Sequence, residues 1–216
     1  MRVLSEAQTR RMVNLMGAEV TAQIPAPPRA VLLKPGRLVR DEDGTILEAR
    51  SSATLILAGS RKIVVDTGCE GEGEPITNRL KELGLAPEYV DIVVNTHDHP
   101  DHSGNNRLFS RARILSGKGG LEEGDLIAPG VWIMETPGHT ADSISVVCES
   151  PRRIVVAGDA LPLMGNYLKW VPPRLHVDRG MALRSMARIV EVAEVVVPGH
   201  DSPFLVRERR RTADLD

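Results

Sequence analysis

Six consecutive positions, "HDHPDH" at residues 97–102, carry four side chains suited to binding metal ions: His97, His99, Asp101 and His102. Three of the chain's six histidines fall inside this stretch, so a scatter of ordinary surface histidines does not account for it. Imidazole nitrogen and carboxylate oxygen are ligands for zinc, and equally for iron or manganese. No cysteine stands in the cluster, which argues against a closed, thiolate-rich structural zinc site and for one with positions left open for water and substrate. Histidines two apart in an extended loop turn toward one centre, while Asp101 and His102 face a neighbouring one. The spacing therefore implies two adjacent metal sites.

The stretches that must position these residues share one design. "DIVVNTH", "WIMETPGH", "RIVVAGD" and "EVVVPGH" each carry an apolar run straight into a polar residue, respectively His97, His139, Asp159 and His200. Strand ends of this kind are where α/β folds place their sites. Upstream, "AVLLKPG" and "RLVRDEDGTILEA" alternate as strands do, with Asp43-Gly44 as a turn pair. "SATLILA" and "KIVVDTG" read as two further strands about Gly59-Ser60, giving an antiparallel start. "EPITNRLKELGL" repeats apolar residues at Ile76, Leu80 and Leu83 behind Pro75, as an amphipathic helix should, and residues 180–193 form a second clear helix. Strands are also expected at "ARILS" and "SISVVCE". The pattern predicts an α/β sandwich of mixed sheets with outer helices.

On these residues the chain closely resembles the metallo-β-lactamase superfamily. The family's HxHxDH pattern stands as "HDHPDH", followed by "SGN"; "TPGHT", "AGD" and "VPGH" downstream and "VVDTG" upstream match in the family's order over roughly residues 30–205. The resemblance implies a four-layer αββα sandwich with the site at one edge between two sheets. Carried over residue by residue, it implies two divalent metal ions per chain, zinc first and iron or manganese as alternatives. His97, His99 and His139 would hold one ion, Asp101, His102 and His200 the other, and Asp159 would bridge them. Two ions about 3.5 to 4 Å apart share a water and lower its pKa, so the implied chemistry is hydrolysis by a metal-activated hydroxide. Asp101 or a second metal-bound water is expected to relay a proton, and Asp66 to orient ligands or water; the alternative for Asp66 is a turn carboxylate in "DTG". The carboxylate at Asp159 resembles lactonases, glyoxalase II enzymes and ribonuclease Z. It departs from the zinc β-lactamases proper, which commonly have a cysteine there. His99 stands where redox-active di-iron relatives commonly have a carboxylate, which again favours hydrolysis.

Substrate choice is written less clearly. The segment "ALPLMGNYLKWVPPRLH" at 160–176 is too proline-rich for one helix, and holds Tyr167 and Trp170 in a chain only 3% aromatic. With Met164 and Leu168 these side chains are expected to line the pocket; packing under a loop or at a subunit interface is the alternative. His176 and Cys69 read as local, non-ligand residues. Asp142 stands where the family often has glycine, as a carboxylate near the mouth or a loop hydrogen bond.

A formal net charge of -2 excludes the global basic field of a typical nucleic-acid binder, although "RARILSGKGG" and "RERRRT" are locally basic. The composition, 42% hydrophobic and 26% charged, is that of a folded domain. We expect an N-terminal leader over residues 1–28 with a short helix from Glu6 to Met16, and a single catalytic domain over 29–216. A cytoplasmic location with no membrane span is expected, and a homodimer is a natural option. Only 16 residues follow His200, so the C-terminal helical domain of typical glyoxalase II enzymes is not expected. The leading expectation is a hydrolase of small acyl substrates: ester, lactone, thioester or β-lactam. The alternative is a phosphodiesterase or endoribonuclease acting on RNA or single-stranded DNA. The tail "VVVPGHDSPFLV" keeps it open by its similarity to a short animal subgroup associated with endoribonuclease activity.

Overall fold

The computed structural model describes residues 26–206; the expected helix from Glu6 to Met16 and the "RERRRT" arginines lie outside them. The first half of the described chain runs β1 (Arg29–Lys34), β2 (Arg37–Arg40), β3 (Ile46–Arg50), β4 (Ala53–Ala58), β5 (Arg61–Val65), α1 (Gly73–Glu82), β6 (Ile92–Asn95), α2 (Pro100–Ser103) and β7 (Arg113–Ser116). The second half runs β8 (Leu126–Ala128), β9 (Val131–Glu135), β10 (Ile144–Cys148), β11 (Ile154–Gly158), α3 (Met164–Lys169), α4 (Arg179–Val192), β12 (Val195–Pro198) and β13 (Phe204–Leu205). Each half supplies one sheet, ordered β1-β4-β5-β6-β7 and β13-β12-β11-β10-β9-β8.

Side-chain alternation along these strands builds the layers. In β5, Ile63 and Val65 point into the space between the sheets with Ile133, Val146 and Val156 of the second sheet. Val64 between them points the other way, against Ile76 and Leu80 of α1. The second sheet repeats the device: Val155 and Ala157 face outward onto Met186 and Ile189 of α4. The helices carry the matching 3.6-residue stripes. In α4 the buried residues are Ala182, Ser185, Met186 and Ile189, and Asp178 caps the first turn by accepting from the Met181 N–H at 2.6 Å. Burying Ile76 and Leu80 fully is worth about 1.5–3 kcal/mol each, enough to tie α1 to its sheet. The product is the expected αββα sandwich.

The antiparallel start needs one revision. β1, β4 and β5 pair antiparallel as expected, but β2 and β3 pair only with each other. They form a separate ribbon that leaves the sheet after Lys34 and turns at Gly44, whose φ of 82° suits glycine. Among the described residues, no helix is long and apolar enough to cross a membrane.

Candidate metal centre

The four polar residues at strand ends meet because their strands run parallel where it matters. β5, β6 and β7 are mutually parallel, as are β11 and β12, so their C-terminal ends open toward the same edge of the sandwich. His97 follows β6, Asp159 follows β11 and His200 follows β12; His139 arrives on the loop after β9. The short helix α2 begins at Pro100, which turns Asp101 and the fully buried His102 back toward the same point.

Three overlapping donor sets result: His97, His99 and His139; His97, His102 and Asp159; and Asp101, His102 and His200. In the first, His97 Nε2 and His139 Nε2 lie 3.0 and 3.1 Å from His99 Nδ1. In the last, His200 Nε2 lies 3.4 Å from Asp101 Oδ2. Asp159 stands between the two groups. Its Oδ1 is 3.1 Å from His200 Nε2 and 3.4 Å from His102 Nε2, while its Oδ2 is 3.5 Å from His139 Nε2. Gly199 makes this position available, because a Cβ there would run into Asp159 Oδ1 and the Gly158 carbonyl.

The outward nitrogens are fixed by hydrogen bonds that leave the inward ones free to bind a cation. His102 Nδ1 donates to Asp66 Oδ2 at 2.8 Å, His139 Nδ1 to the Leu175 carbonyl at 2.8 Å, and His200 Nδ1 to the Arg50 carbonyl at 2.9 Å. Asp66 is itself held by the Thr96 N–H and hydroxyl, at 2.8 and 2.9 Å. The buried atoms His102 Nε2 and Asp159 Oδ1 have no hydrogen-bond partner. Buried polar atoms are rarely left so, and ring nitrogens converging at 3 Å suit a shared cation. The residues present therefore fit metal binding.

Electrostatics agree. Burial, followed by the neighbouring His102, holds His97 far below the usual imidazole range, and burial with His139 lowers His99 as well. Both rings are thus neutral and ready to ligate. Burial would also depress His102, but the Asp66 and Asp159 carboxylates outweigh it and hold that ring well above its usual range. His200 is raised too, the Asp159 carboxylate oxygen 3.1 Å from its Nε2 overcoming burial. Asp159 is the counterpart: burial would raise it, yet His102 and His200 hold it well below the ordinary carboxylate range.

Similarity to known proteins decides the affiliation. Residues 46–131 match the model of the metallo-beta-lactamase superfamily. A Methanocaldococcus jannaschii protein whose name describes a metallo-hydrolase is 40% identical over 177 residues, covering 79% of this chain and 85% of its own length. The chain belongs to the metallo-beta-lactamase superfamily. It is accordingly a metal-dependent hydrolase by type. The metallo-beta-lactamase domain-containing protein 1 of Xenopus laevis is 33% identical over 212 residues, covering 91% of this chain and 90% of its own. Among solved structures, an N-acyl homoserine lactone hydrolase with the product N-hexanoyl-L-homoserine at its catalytic metal centre shares the metallo-beta-lactamase fold. It has a TM-score of 0.63 at 21% identity, over 82% of this chain and 94% of that one.

The expected pocket lining needs correction. Tyr167 is buried in the outer core, stacked on Phe204 at 5.3 Å, and Trp170 packs against the same cluster. Met164 and Leu168 are exposed on α3 and do not border the cavity beside the histidines. That cavity of about 200 Å³ is walled by His99, Asp101, His139, Asp159 and His200 on one side. On the other stand Leu38, Arg40, Ile46 and Ala49 of the ribbon, with Pro162 and Pro173–Leu175. Aromatic character pointed to 167 and 170, but α3 turns those rings toward the core under α4. The ribbon residues were recognisable as strands; that they fold over the site depends on a contact no local pattern marks. Asp66 also lies apart from the cavity and acts on the site through His102 and through Thr96, so it is a positioning residue. Asp142 accepts from Thr140 Oγ1 at 2.7 Å, the loop hydrogen bond. Cys69 donates to the Ala49 carbonyl at 3.0 Å, and His176 Nδ1 donates to the Pro173 carbonyl at 2.7 Å; both bonds are local packing.

Proposed function

We propose that the chain is a dinuclear hydrolase of small acyl substrates such as esters, lactones, thioesters or β-lactams. The observation that carries this reading is Asp159, whose two oxygens face different histidine groups. A pair of divalent ions, zinc first with iron or manganese as alternatives that suit the same donors, would supply a water activated near neutral pH and polarise the scissile carbonyl. His97, His99 and His139 would hold one ion and Asp101, His102 and His200 the other, with Asp159 placed to serve both. Asp101 lines the cavity with a partly exposed carboxylate, so it reaches the reacting atoms and can take up a proton from water or return it to a leaving group. Asp66 keeps Nδ1 of His102 protonated and its Nε2 aimed inward.

A small-molecule substrate is favoured by the size of the cavity, which is below the ~300–1,000 Å³ of typical ligand sites. The shared fold of a lactone hydrolase with product at its metal centre agrees with it. The test is metal analysis combined with a substrate panel of lactone, thioester, β-lactam and single-stranded RNA. We expect about two zinc ions per chain, acyl turnover, and loss of both second-ion occupancy and turnover in Asp159→Ala. Full activity and metal content in Asp159→Ala would remove the bridging role. Zinc-dependent RNA cleavage without acyl turnover would replace this reading with a phosphodiesterase.

A further inference from the structure

Two arginines border the same cavity as the histidines: Arg40 at the end of β2 and Arg174 on the loop between α3 and α4. Nη1 of each donates to one shared acceptor, the Gly44 carbonyl at the ribbon tip, both at 2.9 Å. The two cations are thereby held side by side. A Cβ at position 44 would meet the Arg174 guanidinium, which would have to shift.

No carboxylate neutralises this pair among the described residues. Other arginines of the same ribbon are treated differently: Arg37 and Arg50 share Glu48, at 3.3 and 2.7 Å. Arg40 makes no such pair although Asp41, Glu42 and Asp43 follow it directly in sequence. Like charges fixed together at a concave rim repel, and an oxyanion between them reverses the sign of that interaction. Each guanidinium has five N–H donors, so the bond to Gly44 leaves donors for a ligand. The same cavity is lined by the apolar residues Leu38, Ile46 and Leu175, suited to a short hydrocarbon span.

We propose that Arg40 and Arg174 form an anion subsite that selects short acyl substrates carrying a carboxylate remote from the scissile carbonyl. The assignment rests on the hydrolase reading for its reaction, but the subsite is a binding site in its own right. The small cavity and the three acidic residues at the ribbon tip disfavour a polyanionic chain in this position.

The zinc-loaded full chain is titrated calorimetrically with glutarate, and with acetate as the control for anion binding to the metal alone. Glutaramide, inorganic phosphate and an oligouridylate complete the set. Wild type should bind glutarate roughly 10-fold or more tightly than acetate, as expected for a charge-assisted hydrogen bond. Arg40→Ala and Arg174→Ala should abolish that difference while retaining zinc content and melting temperature, and Arg→Lys at either position should restore part of it. In turnover, KM for mono-p-nitrophenyl glutarate should rise by a similar factor in the alanine variants with kcat little changed. KM for neutral p-nitrophenyl pentanoate should stay constant. Equal binding of glutarate and acetate by wild type, or glutarate binding indifferent to both arginines, overturns the subsite. Arginine-dependent binding of phosphate and oligouridylate in preference to glutarate overturns it in favour of a nucleic-acid contact. Arginine-dependent glutarate binding with neither ester hydrolysed supports the subsite and counts against the hydrolase reading alone.

Discussion

Asp66 Oδ2 accepts a 2.8 Å hydrogen bond from His102 Nδ1, and both side chains are almost wholly buried. No solvent competes for this bond, so the tautomer and direction of His102 depend on it. Asp66→Asn keeps the shape and removes the charge. We expect zinc affinity at the Asp101, His102 and His200 set to fall by about 10- to 100-fold, with the other set less affected. Competition titration with a chromophoric chelator reads this directly. Unchanged two-phase binding would reduce Asp66 to a turn residue.

Gly199 is packed against Asp159, where a Cβ has no room. Gly199→Ala should displace the carboxylate and lower kcat roughly 10-fold or more while far-UV circular dichroism stays native. Metal content should fall in the same preparation. A fully active Gly199→Ala enzyme would show that the centre tolerates a shift of its bridging group.

The raised His102 and His200 and the lowered Asp159 describe the metal-free protein. A raised folded-state histidine contributes stability that is complete below the unfolded value of about 6.5 and lost as pH rises through the folded value. Asp159 contributes above the unfolded value of about 3.9 and loses that contribution as pH falls through its own lowered one. The lowered His97 and His99 act in the opposite sense but only below about 6.5, so metal-free protein should melt at a lower temperature at pH 9 than at pH 7. Zinc must displace the protons on His102 and His200, so its affinity should rise over the same interval. Zinc titrations in two buffers of different ionisation enthalpy should show net proton release; equal heats in both would contradict the assignment.

Tyr167 stacks on Phe204 within the layer under α4. Tyr167→Ala should destabilise the fold by about 3–5 kcal/mol in denaturant titration. The KM of the surviving folded enzyme should be unaffected. A selective rise in KM at normal stability would return this ring to the substrate pocket.

Much of the centre was legible because its signals are local. "HDHPDH" places four candidate ligands within six residues, and the apolar runs before His139, Asp159 and His200 announce strands that end in polar residues. The layers were equally readable, since Val64 must face opposite to Ile63 and Val65 whatever lies beyond. The tilt of α3 was not. "MGNYLK" is consistent with several orientations, and the Phe204 that captures Tyr167 lies on β13, a two-residue strand too short to show a pattern.

The amino-acid sequence by itself determined which side chains can hold metal and which strands carry them, because ligand type and two-residue periodicity are properties of neighbouring residues. Only the tertiary structure decided how those side chains are aimed and what faces them. His139 and His200 are oriented by the carbonyls of Leu175 and Arg50, and the cavity is closed by a ribbon anchored through the Gly44 carbonyl. Every residue type has a backbone carbonyl, so such partners leave no mark in the sequence; they are chosen by the path of the folded chain.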